Sequence, residues 1–213
     1  PYGVIKGIGI QRLNGEKIVD PSGRYLPTVD PVELGDPNPK WTASLINGVS
    51  FKNFRLSFMF EYRHKGAIVS QTITGVLARG LTTDTDVDRN TTFILPGVQS
   101  DGSRNNVQIS AANYFFDNYF FSDEAVTFDG STIRLREISL SYNLPKSVLS
   151  KTPFKAASLI LTGSNIWFEA LNFPKGVNFD TDVLSTGVGN GLGFDYLTGP
   201  SARRLGGTIS LTF

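Results

Sequence analysis

The 213 residues carry 20 Lys and Arg against 19 Asp and Glu, a formal charge of +1, and with no basic block they lack the field expected of a nucleic-acid binder. The absence of Cys and the single His, His64, rule out disulfides and thiolate metal sites and would leave a zinc site dependent on carboxylates, so neither a metal nor a cofactor is expected. No stretch approaches the roughly 20 apolar residues of a membrane-spanning helix, which says nothing against a barrel, whose strands alternate and average to modest hydropathy. The chain opens on Pro1 without Met, basic segment or apolar leader, and reads as a piece of something longer. High Gly (22) and Phe (16) with a single Met favour strands and turns over packed helices.

Residues 1–40, with an Asn14-Gly15 turn and the Pro- and Gly-rich run "DPSGRYLPTVDPVELGDPNPK", read as a loop region with room for a strand around Val4 to Arg12. Five segments of about ten residues then read as strands, the length a tilted strand needs to cross a bilayer. In the first, residues 41–51, Trp41, Ala43, Leu45, Val49 and Phe51 share a face that only Asn47 interrupts. The second, residues 54–63, alternates without a fault: Phe54, Leu56, Phe58, Phe60 and Tyr62 against Arg55, Ser57, Met59, Glu61 and Arg63. In the third, residues 132–144, Ile133 and Leu135 set one phase and Ile138, Leu140, Tyr142 and Leu144 the other, so a β-bulge is expected near Arg136 and Glu137. The fourth, residues 157–167, alternates less well, with Ile160 and Ile166 opposite Leu159 and Leu161. The fifth, residues 203–213, places Leu205, Ile209, Leu211 and Phe213 on one side.

Connection lengths sharpen the reading. Only Lys52 and Asn53 separate the first two strands, and "PKSVLSKTPFK", with a helical turn expected from Lys146 to Lys151, separates the third and fourth; residues 64–131 and 168–202 form long links. Loops this long are rare in compact soluble domains. Strict alternation of short and long links is the habit of outer-membrane barrels, with tight periplasmic turns and extended extracellular loops. The expected fold is therefore all-β, an antiparallel transmembrane β-barrel with residues 1–40 outside and 41–213 as barrel strands and loops. Since an Arg at mid-depth on the lipid side costs about 2 to 4 kcal/mol, Arg55, Glu61 and Arg63 are assigned to the lumen. Phe54, Phe58 and Phe60 are assigned to lipid, with Trp41, Tyr62, Phe54 and Tyr142 in aromatic girdles. Five strands cannot close, and open edges are not tolerated in hydrocarbon, so further strands must come from elsewhere.

Chemical motifs are few. "DTDVDRN" (Asp84 to Asn90) alternates carboxylates but has Arg89 and Leu95 where a calcium loop needs Gly and Glu, and reads as solvated loop. "STGVGNGLGF" (Ser185 to Phe194) fits no nucleotide-binding spacing. His64 has no nucleophile elbow to serve, and Asp123-Glu124 are adjacent where a glycosidase needs carboxyls about 5 to 9 Å apart across a cleft; no enzyme is expected. "NYFFDNYFF" (Asn113 to Phe121) offers Tyr114, Phe115, Phe116, Tyr119 and Phe120 as contacts for substrate or a partner, with anchoring of the loop on the barrel mouth as the equal alternative.

The segments "LGDPNPKW" (Leu34 to Trp41), "FKNFRLSF" (Phe51 to Phe58), "IRLREISLSYNLPKSVL" (Ile133 to Leu149), "LTGSNIW" (Leu161 to Trp167) and "PSARRLGGTISLTF" (Pro200 to Phe213) resemble, in order and spacing, the C-terminal barrel region of the SusC/RagA family of TonB-dependent outer-membrane transporters of Bacteroidetes. The resemblance implies a plugged barrel of about 22 strands, energised through TonB by a region not in this chain, capped by a SusD-like surface lipoprotein, and importing oligosaccharides or oligopeptides. Leu205, Ile209, Leu211 and Phe213 then form the closing-strand signal for the barrel-assembly machinery, and outer-membrane lipid is a further partner. The rival from another class is a secreted, soluble β-sandwich glycan-binding module, in which the Phe54 to Tyr62 face would be core.

Overall fold

The computed structural model describes residues 3–174, 176–183 and 191–213. Its elements in chain order are β1 (Ile5–Gly7), β2 (Arg12–Leu13), β3 (Glu16–Lys17), β4 (Val32–Gly35), β5 (Trp41–Phe51), β6 (Phe54–His64), β7 (Ala67–Ser70), α1 (Gln71–Ala78), β8 (Thr92–Phe93), β9 (Ile109–Ser110), α2 (Ala111–Phe120), β10 (Thr127–Asn143), α3 (Lys146–Leu149), β11 (Ala156–Asn172), β12 (Phe194–Asp195) and β13 (Arg204–Thr212). β10 starts at Thr127 instead of Thr132, and β11 runs on to Asn172 instead of stopping at Trp167. Both long loops are correspondingly shorter than their sequence suggests.

The five long strands form an antiparallel meander in the order β5, β6, β10, β11, β13. Opposed residues in such a ladder share a face, so the register decides which side chains lie together. Phe54 faces Phe51 and Tyr142, Leu56 faces Val49 and Leu140, Phe58 faces Asn47 and Ile138, and Phe60 faces Leu45 and Leu135. The phase slip in β10 is resolved at Arg136: Leu135 opposes Phe60 while Glu137 opposes Met59, leaving Arg136 as the extra residue. That bulge puts Ile133 and Leu135 on the same side as Ile138, Leu140 and Tyr142.

A matching irregularity in β11 corrects one expectation. Trp167 opposes Leu135 and Ser164 opposes Glu137, with Asn165 between them in the left-handed region at φ 52°. Ile166 is thereby turned over Gly163, where an added Cβ would meet Ile166 Cδ1 at 2.3 Å and Ile138 Cγ2 at 3.2 Å. Ile166 thus joins the Leu159 and Leu161 side instead of opposing it, and a Cβ at position 163 would have to displace its side chain. On the far edge Leu205, Ile209 and Leu211 oppose Gly163, Leu159 and Ala157, so the apolar face extends across all five strands, broken by Asn47 and, at the long-loop end, by Glu169 opposite Ile133.

Among the described residues no second layer packs over that face. Leu205 and Ile209 are 83% and 72% exposed, and among the described residues none of the hydrophobic clusters includes Phe54, Phe58 or Phe60. The sheet is open, β5 pairing with β6 and β13 with β11.

The buried core lies beyond the long-loop end. After His64, Lys65 and Gly66 at φ 63° and 99° redirect the chain into β7, which pairs with the first residues of β10 and receives β12 in parallel. Residues 3–40 fold beside it, with β1 on β4 and β2 on β3 through the Asn14-Gly15 turn; the φ values there, 53° and 90°, are those a tight hairpin demands. Three clusters hold this cap together: Ile68, Ile73, Leu77 and Phe179; Ile5, Val69 and Val126; Val19, Leu95 and Ile109. Ser70 and Ser110 cap α1 and α2, their hydroxyls accepting from Ile73 N at 3.1 Å and Asn113 N at 3.2 Å.

Candidate functional site

The polar side of the sheet carries the charge. Arg55, Ser57, Met59, Glu61 and Arg63 of β6 share it with Thr132, Arg134, Glu137, Ser139 and Ser141 of β10. The side chain of Arg134, 2% exposed, is ion-paired with Asp180, and its Nε lies 3.5 Å from Asp182. Its guanidinium also rests 4.9 Å from the Phe168 ring. The bulge turns Arg136 so that it pairs with both Glu61 and Asp182, a local use of extra twist to aim a side chain. Thr132 and Thr181 join by their hydroxyls at 2.8 Å. Residues 180–182, which belong to the second long loop, are therefore pinned onto β6 and β10.

Asp180 is the hub of this contact. It accepts from Arg134, from Ser201 Oγ, from Ser201 N at 3.1 Å and from Asp182 N at 3.1 Å. Burial pushes its carboxyl up, but the hydrogen bonds from Arg134, Ser201 and Asp182 outweigh burial and hold it below the ordinary carboxylate value. Asp195 repeats the pattern within the cap. Its fully buried carboxyl accepts from Ser70 Oγ at 2.6 Å and Thr72 N at 3.2 Å at the start of α1, and despite burial it too is held low. Sequence reasoning named Arg136 only as a bulge position, and it did not single out Arg134, Asp180 or Asp182. Arg134 and Arg136 left a trace in the disturbed alternation of "IRLRE", whereas carboxylates in an irregular loop have no periodicity to betray them.

The expected residues are placed as follows. Glu61 joins the Arg136 pair, Arg63 donates to Pro37 O at 3.1 Å, and Arg55 stands opposite Ser50 and Ser141 nearer the short turns. On the apolar side Trp41 packs on Tyr62 and His64, both at 5.1 Å, at the long-loop end, and Phe54 packs on Tyr142 at 4.5 Å at the short-turn end. Phe58 meets Phe60 edge-on at 5.7 Å. Phe213 meets Phe154 at 5.1 Å.

The aromatic run becomes helix α2 and divides. Tyr114 stacks on Phe93 at 4.4 Å and Phe115 meets both rings edge-on, while Tyr119 packs on the Ile68 and Val126 clusters. Burial pushes the Tyr119 hydroxyl up, and that of Tyr25 to about 12. Phe116 and Phe120 instead stack on each other at 4.7 Å and remain exposed, joined by exposed Phe121, whose ring lies 5.7 Å from the Arg24 guanidinium. Among the described residues no His, Cys, Asp and Glu group is arranged to hold a metal ion. "DTDVDRN" lies in an irregular segment of the cap, and residues 185–190 of the Gly-rich run lie outside the described residues.

No protein-family model matches the chain. It is 26% identical over 224 residues to TonB-dependent receptor P3 of Formosa agariphila, covering 100% of this chain and 20% of that protein. It is 27% identical over 215 residues to TonB-dependent receptor P26 of the same organism, covering 95% and 20%. The chain thus spans about a fifth of the length of these relatives. Among solved structures, the RagAB peptide importer in its closed-closed state superposes with a TM-score of 0.56 at 17% identity, over 99% of this chain and 23% of that one. The RagAB peptide transporter gives 0.53 at 16%, over 99% and 22%. These matches bear out the resemblance carried by the five motifs. From end to end the chain is similar to TonB-dependent receptors, and its setting is that of those proteins, the bacterial outer membrane.

Proposed function

We propose that this SusC/RagA-like chain forms wall strands and part of the extracellular cap of a TonB-dependent importer, a barrel of about 22 strands that passes oligosaccharides or oligopeptides with a SusD-like surface lipoprotein as its partner. The observation that carries this reading is the predominantly apolar face that extends over five antiparallel strands, with charge on the opposite side. Water would penalise such a face, since soluble monomers rarely expose large contiguous apolar patches; hydrocarbon would not. In this reading the Trp41 and Tyr62 end lies at the outer interface and the Phe54 and Tyr142 end at the inner one, where amphipathic rings are favoured. Arg55, Glu61 and Arg63 face the lumen. Leu205, Ile209, Leu211 and Phe213 serve the barrel-assembly machinery, and TonB acts through a region outside this chain.

The same geometry gives the cap its role. The Asp180 and Asp182 pairs bind residues 180–182 to the inner wall, which gives the mouth a fixed support there. On α2, Phe116 and Phe120 are the rings free to meet substrate or the lipoprotein, while Tyr114, Phe115 and Tyr119 hold the helix in place. The soluble sandwich requires a second sheet over Phe54, Phe58 and Phe60, which the exposed face disfavours. The test uses the full-length protein. It should sediment with the outer membrane, migrate differently in detergent gels when unheated, co-purify with a lipoprotein, and be required for uptake of labelled oligosaccharide or oligopeptide. Recovery as a soluble, detergent-independent protein would end the proposal.

A further inference from the structure

We infer that the short-turn end of the sheet is a basic rim that docks on the phosphate headgroups of anionic phospholipid, an inference that rests on the membrane reading above. All 19 acidic residues lie outside three stretches, 44–60, 138–168 and 196–213, and the first two of these contain the short turns. The same two stretches hold Lys52, Lys146, Lys151 and Lys155, besides the lumen-facing Arg55. Positive charge at this end is thus left without an Asp or Glu in the nearby sequence, and among the described residues none of these four lysines enters an ion pair.

The two turns form one surface. Asn53 Nδ2 donates to Asn143 O at 2.7 Å, and Asn143 N donates back to Asn53 O at 2.9 Å; Lys155 N donates to Thr212 O at 2.7 Å, tying in β13. Apolar surface lies directly beside these cations. The Lys52 ammonium sits 5.3 Å from the Phe51 ring, and Phe51, Val148 and Phe213 are all exposed. A phospholipid offers both complements at once, an anionic phosphate and an acyl chain. An acidic polypeptide would answer the charge and leave the apolar neighbours uncovered. Attraction of this kind acts only within a Debye length, about 10 Å at 0.1 M salt, so the lysines must lie at headgroup depth, where the aromatic band of the strand ends already places them.

The experiment compares the full-length protein with its K52Q/K146Q/K151Q/K155Q variant in nanodiscs of phosphatidylcholine, with and without phosphatidylglycerol. The wild type should gain several degrees in Tm from phosphatidylglycerol, a gain that shrinks at high salt, and native mass spectrometry should show several-fold fewer phosphatidylglycerol adducts on the variant. A K40Q/K65Q variant at the opposite end should keep the full response, and replacement of the four lysines by Arg should restore it if the Gln variant assembles poorly. An unchanged response in the Gln variant would overturn the inference. So would reproduction of the Tm gain by inorganic phosphate in phosphatidylcholine discs, or crosslinking of these lysines to polypeptide carboxylates with lipid adducts unchanged. Failure of the membrane reading looks different: the protein would not enter nanodiscs at all.

Discussion

The sheet and the cap solve opposite problems with the same residue types. In the five long strands most of the large apolar side chains share one face and Arg55, Glu61, Arg63, Arg134 and Glu137 the other, whereas in the cap Ile68, Ile73, Leu77 and Val126 are buried within the chain. A strand needs a solvent suited to its face, and the cap needs a core; in the proposed membrane setting the chain provides both because the exterior changes along its length. The Arg134 and Arg136 pairs with Asp180 and Asp182 join the two regions. The lesson is that burial within the chain identifies the cap, and exposure of ordered hydrophobics identifies the wall.

The largest expected effect attacks the joint. Arg134→Ala leaves Asp180 buried without its counter-charge, though still hydrogen-bonded by Ser201 and Asp182, at a cost of about 3 to 5 kcal/mol; limited proteolysis should then cut the second long loop, while the unheated gel migration of the full-length barrel stays as in the wild type. Loss of that migration would mean the wall depends on the joint. Within the cap alone, Ile73→Ala should cost about 2 to 5 kcal/mol by leaving a cavity, read as faster hydrogen exchange in α1 with strand amides unaffected.

The wall has its own test. Phe58→Arg should impair assembly by about 2 to 4 kcal/mol, and Ser57→Arg on the other face should be tolerated; equal effects of the two would contradict the assignment of faces. The joint should also respond to acid. Because the folded-state value of Asp180 lies below its ordinary value of 3.8, its contribution is complete above that value and fades as the pH falls through the lower folded one. Protease sensitivity of the loop should therefore rise only below about pH 4, and less so in Asp180→Asn, which is loosened at every pH. The smallest effect is Ser110→Ala, about 1 kcal/mol through the lost cap of α2, measured as fraying of that helix by hydrogen exchange.

Much of the wall can be read from alternation, because a strand with a period of two and one apolar neighbour writes its environment residue by residue. "FRLSFMFEYR" shows this at its clearest, and the slip at Arg136 is readable for the same reason. Ile166 is not, since its face depends on the left-handed turn at Asn165 and on the space above Gly163. The cap is harder still: Phe179 meets Ile73 and Leu77 from far along the chain, and the aromatics of α2 look alike in sequence although some are anchors and others are exposed.

What the order of residues determined by itself is therefore the two-faced strand, the bulge and the alternation of short and long links, all of which are local consequences of side-chain period and turn chemistry. Only the folded chain decided that Asp180 and Asp182 meet Arg134 and Arg136, and that Tyr119 is held while Phe116 and Phe120 are exposed. Those pairings join residues some 46 positions apart, and at that separation partnership is set by how the loop is closed and packed, which no local pattern encodes.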